Sequence, residues 1–454
     1  MRRTPAALLS LAAAVAVTAL AAAAAGSDAT TGSGATATAA VPTAGVRAGA
    51  GADSVGVNGA VEWNQALLAI VSAPPAPGAT PSTIHPTRNF AMLAAAVDDA
   101  VDAIDHTHTP YLRQPAAPAG ASAPAAAAVA GHDVLVTLYP AQRVALDSRL
   151  ADDLAALPPG RSTQDGVAVG HTAAAAILAA RAGDGANAVP PPYLTTGAPG
   201  DFRPTPPGFA APVFTGWGRV RPFVLRAGDQ FRPPPPPALT SPGYARALNE
   251  VQRLGSKTST TRTAAQTEDA LFWAAPIQNY WNAIAEQAAT VRHTGLDGSA
   301  RLFAQLDLSL ADATIALYDA KYTYRLWRPV TAVREAGADG NPATTADLTW
   351  TPLATTPADP SYPGAHSDLS AAAATVLARF YGNRDQFTVA SPTVPGAVHS
   401  FSRFSDAVTG AGLSRIYAGV HTRTDHTAGR RLGADVADYL LSHSLQPAGP
   451  APRY

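Results

Sequence analysis

Lys321-Tyr-Thr-Tyr-Arg-Leu-Trp-Arg-Pro329 is the first of three polar clusters that interrupt apolar, helix-forming sequence in the second half of the chain. The second reads Tyr362-Pro-Gly-Ala-His-Ser367, and the third reads Ser414-Arg-Ile-Tyr-Ala-Gly-Val-His-Thr-Arg-Thr-Asp425. The clusters offer cationic side chains, two imidazoles, a carboxylate and a turn rich in backbone N–H groups. Cations and clustered N–H groups bind anions that carry several oxygens. The three clusters therefore predict a site for a tetrahedral oxyanion.

Apolar residues around the clusters recur mostly at helical spacing, as Phe90, Leu93, Val97 and Val101 do. Alternation typical of strands is confined to fragments such as Val134–Thr137. We therefore predict an all-α fold, with the helices packed as bundles. The predicted helices are 87–104, 133–157, 165–182, 243–254, 263–290, 299–327, 367–381, 398–418 and 427–443. Residues 114–128 are predicted to be a loop or linker.

The composition changes along the chain and divides it into four regions. Residues 1–25 are predicted to be a signal peptide and 26–58 a disordered linker. Residues 59–240 are expected to form an N-terminal helical region with a long proline-rich excursion, and 241–445 a C-terminal helical bundle that carries the oxyanion site. Prolines and aromatic residues recur together between Pro190 and Pro242. This mixture favours an ordered excursion packed on the helices, with a bare linker as the alternative.

The N-terminal sequence predicts export. Arg2 and Arg3 precede a run from Ala6 to Ala25 that is apolar apart from one serine and one threonine. A charged start, an apolar core and small residues near its end are typical of a cleaved secretory signal. An uncleaved membrane anchor is the alternative, but most of the run is alanine, which is only weakly apolar. We expect a secreted protein without stable membrane insertion.

Charge and cysteine content exclude several classes of protein. The net charge is −1 at pH 7, so no basic field favours nucleic acid. Cysteine is absent, which removes disulfides, thiolate metal sites and a cysteine nucleophile. With 454 residues, the chain is long enough to bury a large core. The sequence leaves homo-oligomerisation open.

The first cluster carries two cations, Lys321 and Arg328, seven residues apart. Seven steps of about 100° return close to the starting direction, so on a helix both side chains project from one face. Pro329 then ends the helix and moves Arg328 away from helical geometry. A lysine ammonium and a planar arginine guanidinium on one face suit an anion with several oxygens. Two solvated surface cations are the alternative.

The second cluster places a Pro-Gly turn before an alanine-rich helical sequence. The turn would present the N–H groups of Gly364 and Ala365 at a helix N-terminus, where anions bind well. His366 would lie at the edge of this cradle, where it could give or take a proton. An ordinary capped loop with an incidental histidine is the alternative.

The third cluster contains Arg415 and His421, and Asp425 follows His421 by four residues. If this segment is helical, Asp425 accepts a hydrogen bond from one ring nitrogen of His421. The other nitrogen is then left unprotonated, as a nucleophile or a ligand. The alternative is a His–Asp pair at the surface, but the order of all three clusters favours a common site.

The spacing of these residues resembles a known signature. The motifs K-x6-R-P, P-S-G-H and S-R-x5-H-x3-D are shared by vanadium-dependent haloperoxidases and the type 2 phosphatidic acid phosphatase superfamily. The first and third motifs match in full, whereas the second reads Pro-Gly-Ala-His at 363–366. Further stretches, from about residue 60 to 445, are similar to exported bacterial haloperoxidase-like proteins. The resemblance implies helical bundles of the vanadium chloroperoxidase and acid phosphatase type.

The resemblance also implies roles for individual residues. His421 would ligate the metal of a bound vanadate, or attack phosphorus if the chain is a phosphatase. His366 would be the general acid–base, and Asp425 would orient His421. The residues that bind the anion would be Lys321, Arg328, Gly364, Ala365, Arg415 and His421.

Several residues depart from the pattern of chloride-oxidising relatives. Tyr318 stands where tryptophan is expected, and Asp359 stands where an aromatic residue is expected. A carboxylate at this position should repel a halide unless Arg325 or another cation screens it. The serine of the second motif is missing, which removes one hydroxyl donor. As carboxylate partners for the buried arginines, the sequence offers Asp269 and Asp312.

Three functions remain open at this point. The favoured one is a secreted vanadate-dependent haloperoxidase or peroxidase, which would use hydrogen peroxide to oxidise a halide or a small organic substrate. Its cofactor would be vanadate, although phosphate could occupy the same site. A soluble acid phosphatase that forms a phosphohistidine is the second, favoured by Asp359 and the missing serine. The third is a secreted binding protein that retains the scaffold.

Overall fold

The computed structural model describes residues 58–74 and 85–448. Within them the fold is mostly helical, with one short antiparallel hairpin in which Phe387 lies opposite Phe401. The helices are α1 (Gly59–Ser72), α2 (Pro86–Asp105), α3 (Ala123–Leu138), α4 (Arg143–Ala155), α5 (Arg161–Arg181), α6 (Pro242–Gly255), α7 (Ala264–Phe272), α8 (Ile277–Val291), α9 (Leu296–Tyr324), α10 (Pro329–Arg334), α11 (Ala365–Tyr381), α12 (Phe404–Tyr417) and α13 (Arg423–His443), and the strands are β1 (Phe387–Ala390) and β2 (Val398–Phe401). The predicted all-α bundle class is confirmed. The predicted signal peptide and linker lie outside the described residues, apart from Asn58.

Four predicted segments have wrong boundaries. The loop predicted at 114–128 ends early because Ser122 caps α3 with its hydroxyl and alanine favours the helix that follows. The helix predicted at 133–157 is split at Pro140, which lacks the N–H that a helix interior needs. The helix predicted at 263–290 is interrupted before α8, where Pro276 has an extended backbone. The segment predicted as helix 398–418 begins instead with strand β2.

Helix α9 organises the core. It has 29 residues, which corresponds to about 44 Å, and it packs against α2, α11 and α13. Three of its ionisable residues, Asp307, Asp312 and Lys321, are fully buried. One apolar core surrounds it and draws residues from both the N-terminal and the C-terminal helices. The boundary predicted between residues 240 and 241 stays a prediction.

The proline-rich excursion between α5 and α6 packs against α9. Phe202 and Trp217 are buried in it, whereas Phe209 is 63% exposed. Asp312 on α9 fixes the excursion, because its carboxylate accepts hydrogen bonds from the N–H groups of residues 223–225 at 2.6–2.8 Å. Burial raises the pKa of Asp312 to about 6, although these N–H donors oppose the shift. Asp312 therefore serves the fold and does not partner the arginines of the motifs.

Among the described helices, none is long and apolar enough to cross a membrane.

Candidate active site

Lys321 lies in the last turn of α9, which ends at Tyr324. Its side chain is fully buried. The Nζ atom donates to the carbonyl oxygens of Pro360 and Ser361, and it lies 3.1 Å from Oδ2 of Asp359. A lysine ammonium has three N–H donors. All three are therefore directed at the segment 359–361, and Lys321 holds that segment against α9.

Arg328 lies beyond the end of α9, in an extended conformation just before α10. The prediction that Lys321 and Arg328 lie on one helical face is wrong, because Arg325 adopts a left-handed conformation and ends the helix first. The two cations converge instead on Asp359. Arg328 donates from Nε to the Asp359 carbonyl at 2.6 Å and from Nη2 to the carboxylate at 2.5 Å. Its Nη1 atom donates to the carbonyl of Val420 at 2.9 Å.

Asp359 is the carboxylate partner that the sequence did not identify. Burial opposes its charge, but Lys321 and Arg328 outweigh burial and lower the pKa of Asp359 to about 2. Burial lowers the pKa of Lys321 to about 8, so both groups are charged at neutral pH. The proposed screen, Arg325, is engaged elsewhere, with Nε at 3.0 Å from Oδ1 of Asp201.

Asp269, the other candidate partner, lies 3.7 Å from a ring nitrogen of His399 on the hairpin. Neither Asp269 nor Asp312 contacts a motif arginine among the interactions of the described residues. The prediction of these two residues as arginine partners is wrong, because Asp359 comes from the loop before α11 and no helical pattern indicated it.

The second cluster forms the N-terminus of α11, with Gly364 as its cap residue. Here one expectation needs correction. The N–H of Gly364 donates to the backbone carbonyl of Asp425 at 3.0 Å, so it is engaged within the protein. The N–H groups of Ala365 and His366 belong to the first turn, where a helix supplies no acceptor. These first-turn N–H groups are the donors that this helix end offers to an anion.

His366 follows in the first turn of α11, and its Nε2 atom lies 2.9 Å from the carbonyl of Trp273. A carbonyl only accepts, so Nε2 carries the proton in the neutral ring. Burial and the nearby Arg415 hold the pKa of His366 well below its usual range, against the effect of this carbonyl. His421 lowers the same pKa, so the two imidazoles and Arg415 share one electrostatic environment.

His421 lies between α12 and α13, outside both helices. Its Nδ1 atom is 3.2 Å from Oδ2 of Asp425, and its Nε2 atom is 3.1 Å from Nη1 of Arg328. Burial and Arg328 lower the pKa of His421 to about 3, although Asp425 opposes the shift. The ring is therefore neutral, donates from Nδ1 to the carboxylate, and has its lone pair on Nε2.

Arg415, the last of the predicted site residues, lies in the last turn of α12. Its side chain is buried, with 6% of the residue exposed, and its Nε and Nη1 atoms have no hydrogen-bond partner in the described part of the chain. Burial and the neighbouring Arg328 lower the pKa of Arg415 to about 10, which leaves it charged at neutral pH. Buried N–H donors without an acceptor are costly, so this pair marks a position for a bound anion.

Comparison with known proteins bears on this geometry. Residues 301–448 match the family model described as the VCPO second helical-bundle domain. Vanadium chloroperoxidase of Curvularia inaequalis is 27% identical over 252 residues, which is 41% of this chain. The match spans 39% of that protein's length.

Solved structures extend the likeness. The first bacterial vanadium-dependent iodoperoxidase is 25% identical, with a TM-score of 0.73 over 87% of this chain and 97% of that one. The comparisons support a relationship between this chain and the vanadium haloperoxidase family. A bacterial vanadium-dependent chloroperoxidase in its holo form shares the fold, with 18% identity and a TM-score of 0.63 over 86% of this chain and 93% of that one. Vanadium haloperoxidase relatives thus match both the helical scaffold and the half that carries the three motifs.

Vanadate, the cofactor that vanadium haloperoxidases imply, fits the residues present. It is a tetrahedral oxyanion, and the unpartnered donors of Arg415 are the groups that such an anion requires. The lone pair on Nε2 of His421 suits a metal ligand, and its other nitrogen is held by a carboxylate, as in many metal sites. The charges of Arg328 and Lys321 also act on His421, and the first turn of α11 adds N–H groups.

The sequence missed three groups that hold the site residues. Ser361 donates from its hydroxyl to Oδ2 of Asp425 at 2.7 Å. The carbonyl of Trp273 fixes His366. Thr422 and Asp425 form a capping box at the start of α13, and the Thr-x-x-Asp spacing could have identified it. No comparable pattern in the sequence points to Ser361 or Trp273.

Proposed function

We propose that this chain is a vanadate-dependent haloperoxidase that oxidises a halide with hydrogen peroxide, with His421 as the ligand of the vanadate. The Nε and Nη1 atoms of Arg415, which are buried and have no hydrogen-bond partner among the described residues, carry the proposal. A folded protein rarely leaves such donors unpaired unless a ligand satisfies them. The comparisons with vanadium haloperoxidases support the choice of vanadate as that ligand.

The residues divide the work of binding and proton transfer. Arg415 and the first turn of α11 bind the oxyanion, and Asp425 keeps the lone pair of His421 on Nε2. Vanadate, when bound, supplies a Lewis acid that activates the peroxide. The halide loses two electrons to the peroxide, and the overall reaction consumes a proton. His366 exchanges this proton through Nδ1, because its Nε2 atom is engaged by Trp273.

A reconstitution experiment tests the proposal. The chain is purified free of metal and assayed for halide oxidation by peroxide, with bromide and iodide, before and after vanadate is added. We expect activity only after vanadate loading, and we expect His421→Ala to abolish it. His443→Ala is the control, because this exposed histidine ends α13, the helix that follows His421 in the chain. Undiminished activity in His421→Ala would refute the assignment of the ligand.

A phosphatase acting through a phosphohistidine is the second candidate. One observation favours it, because Asp359 adds a negative charge that should repel a halide from the site. The same protein would then hydrolyse a phosphate ester without vanadate, and vanadate would inhibit it. Anion binding without either activity would instead support a binding protein.

We further propose that the protein is secreted and works on peroxide and a halide or a small organic substrate. The charged and apolar N-terminal sequence supports export. Expression of the full chain in a bacterial host, followed by N-terminal sequencing of protein from the medium, tests this proposal. We expect a mature N-terminus near Ala25, and protein retained with Met1 in the membrane fraction would refute it.

A further inference from the structure

Asp359 places a fixed negative charge against two of the cations assigned to the proposed anion site, Lys321 and Arg328. The site has three cations, Lys321, Arg328 and Arg415, and two carboxylates, Asp359 and Asp425, and every one of these five residues is at most 6% exposed. The side chains of these three cations and two carboxylates together carry a net charge of +1. A singly charged anion would neutralise them, whereas a doubly charged one would leave an uncompensated buried charge.

The charge of the site is one property that selects the anion. The hydrogen bonds of Asp359 provide a second. Its Oδ2 atom faces Lys321 and its Oδ1 atom faces Arg328, one donor to each oxygen. A carboxylate oxygen has room for a further donor. An oxyanion that retains a proton can offer an O–H group to this carboxylate, whereas a fully ionised oxyanion offers only oxygens and is repelled.

We propose that Asp359 makes the site select an oxyanion that is singly charged and still carries a proton. The proposal rests on the proposed anion site and specifies which charge state it takes. By contrast, a site with the same cations and an apolar residue at position 359 would favour the doubly charged form. Asp359 is thus a specificity-determining residue for the anion.

Inorganic phosphate and sulfate provide the test, because both are tetrahedral. Sulfate is doubly charged throughout the neutral range, whereas phosphate changes from a singly to a doubly charged ion near neutral pH. Calorimetric titration would measure the affinity of the metal-free protein for each anion at about pH 5.5 and about pH 7.5. At the lower pH we expect phosphate to bind at least about tenfold more tightly than sulfate. This preference should shrink at the higher pH.

The sulfate measurements at the two pH values also control for changes in the protonation of the protein itself. The titratable groups that act on Asp359 or are affected by it are Lys321, Arg328, His421, His85, Tyr318 and Tyr322. Burial lowers the pKa of His85 to about 4 and that of His421 to about 3, so both rings stay neutral in this range. Any change in the charge of Lys321 would alter sulfate and phosphate binding together.

Asp359→Asn removes the charge and keeps the shape of the side chain. We expect sulfate to bind at least about tenfold more tightly to this variant than to the parent protein, which would narrow the preference for phosphate. Asp184→Asn is the matched control, because Asp184 is also buried between two cations, at 2.7 Å from Arg88 and 2.9 Å from Arg181. Its anion affinities should match those of the parent.

The outcomes separate this inference from the proposed function. If neither anion binds the parent protein, the proposed anion site itself is wrong. If both bind with equal affinity at the lower pH, or if Asp359→Asn leaves the preference unchanged, the inference is overturned while the anion site stands. Should Asp359→Asn fail to fold, the two anions measured on the parent protein across pH still decide between these outcomes.

Discussion

The Nδ1 atom of His421 lies 3.2 Å from Oδ2 of Asp425, although His421 precedes α13 and Asp425 belongs to its first turn. The carboxylate is held in place by the backbone N–H of Thr422 at 2.8 Å and by the hydroxyl of Ser361 at 2.7 Å. Burial raises the pKa of Asp425, but His421 and these two donors outweigh burial and lower it. The relationship fixes both the orientation of the ring and the position of its proton.

Replacing this carboxylate should weaken vanadate binding without unfolding the protein. Asp425→Asn keeps an oxygen for the cap of α13 but removes the charge that holds the proton on Nδ1 of His421. We expect vanadate affinity to fall by about 10- to 100-fold, as for other carboxylates behind metal-ligating histidines. Vanadate titration of the metal-free protein measures this. Asp438→Asn, an exposed change on the same helix, should leave the affinity unaltered.

The two motif arginines should have opposite effects on the stability of the anion-free protein. Arg415 is buried with two unpartnered donor atoms, so Arg415→Met should raise the free energy of unfolding by about 1–3 kcal/mol. Arg328 is paired with Asp359, and Arg328→Met should lower that free energy by about 3–5 kcal/mol because a carboxylate is then left unpaired. Denaturant unfolding without phosphate or vanadate measures both free energies. An equal loss of free energy of unfolding in the two variants would contradict the assignment of Arg415 as the arginine whose donors lack an acceptor.

His366 should matter for turnover more than for binding. His366→Ala removes the group assigned to proton exchange but leaves Arg415 and His421 in place. We expect kcat for halide oxidation to fall by at least about 100-fold. Phosphate affinity, measured by calorimetry on the metal-free protein, should change little by comparison. A parallel loss of phosphate affinity would show that His366 binds the anion and does not serve as its acid–base.

His85 should contribute to loss of stability in acid. Its pKa is lowered by burial from 6.5 to about 4, so as pH falls below 6.5 the unfolded chain takes up a proton before the folded protein does. Stability is therefore lost between pH 6.5 and about 4, by about 3–4 kcal/mol at most. His85→Asn removes this titration and keeps an acceptor for the cap of α2.

Thermal melts of the parent protein and of His85→Asn at neutral pH and at about pH 4.5 test this expectation. The difference in Tm between the two pH values should be smaller in the variant. An unchanged difference would mean that His85 does not take part in the acid response. His171→Ala is the control, because His171 is an exposed histidine on α5.

The sequence allowed prediction of the helical class and of the residues that meet at the site, but not of how they meet. Lys321 and Arg328 were placed on one helical face by their spacing, yet Arg325 ends α9 between them. They meet through Asp359, which lies in a loop that no periodic pattern describes. Helical spacing is a local property, whereas this contact depends on where a distant loop folds back.

The pair His421 and Asp425 also shows that spacing along the chain does not determine how two residues come into contact. Their spacing of four suggested a helical turn, but the capping box of α13 brings them together instead. The engaged N–H of Gly364 was not predictable, because its acceptor is a backbone carbonyl 61 residues away in the chain. Residue types thus indicated the chemistry, and tertiary hydrogen bonds determined which donors remain for a ligand.

The central position of α9 limits how this protein can be divided or engineered. Its C-terminal turn carries Lys321, while its remaining length is covered by α2 from the N-terminal half as well as by α11 and α13. A fragment that begins at residue 241 would expose the apolar surface that α2 now covers and would aggregate. Any attempt to make a smaller protein from the second half alone must first redesign that surface of α9.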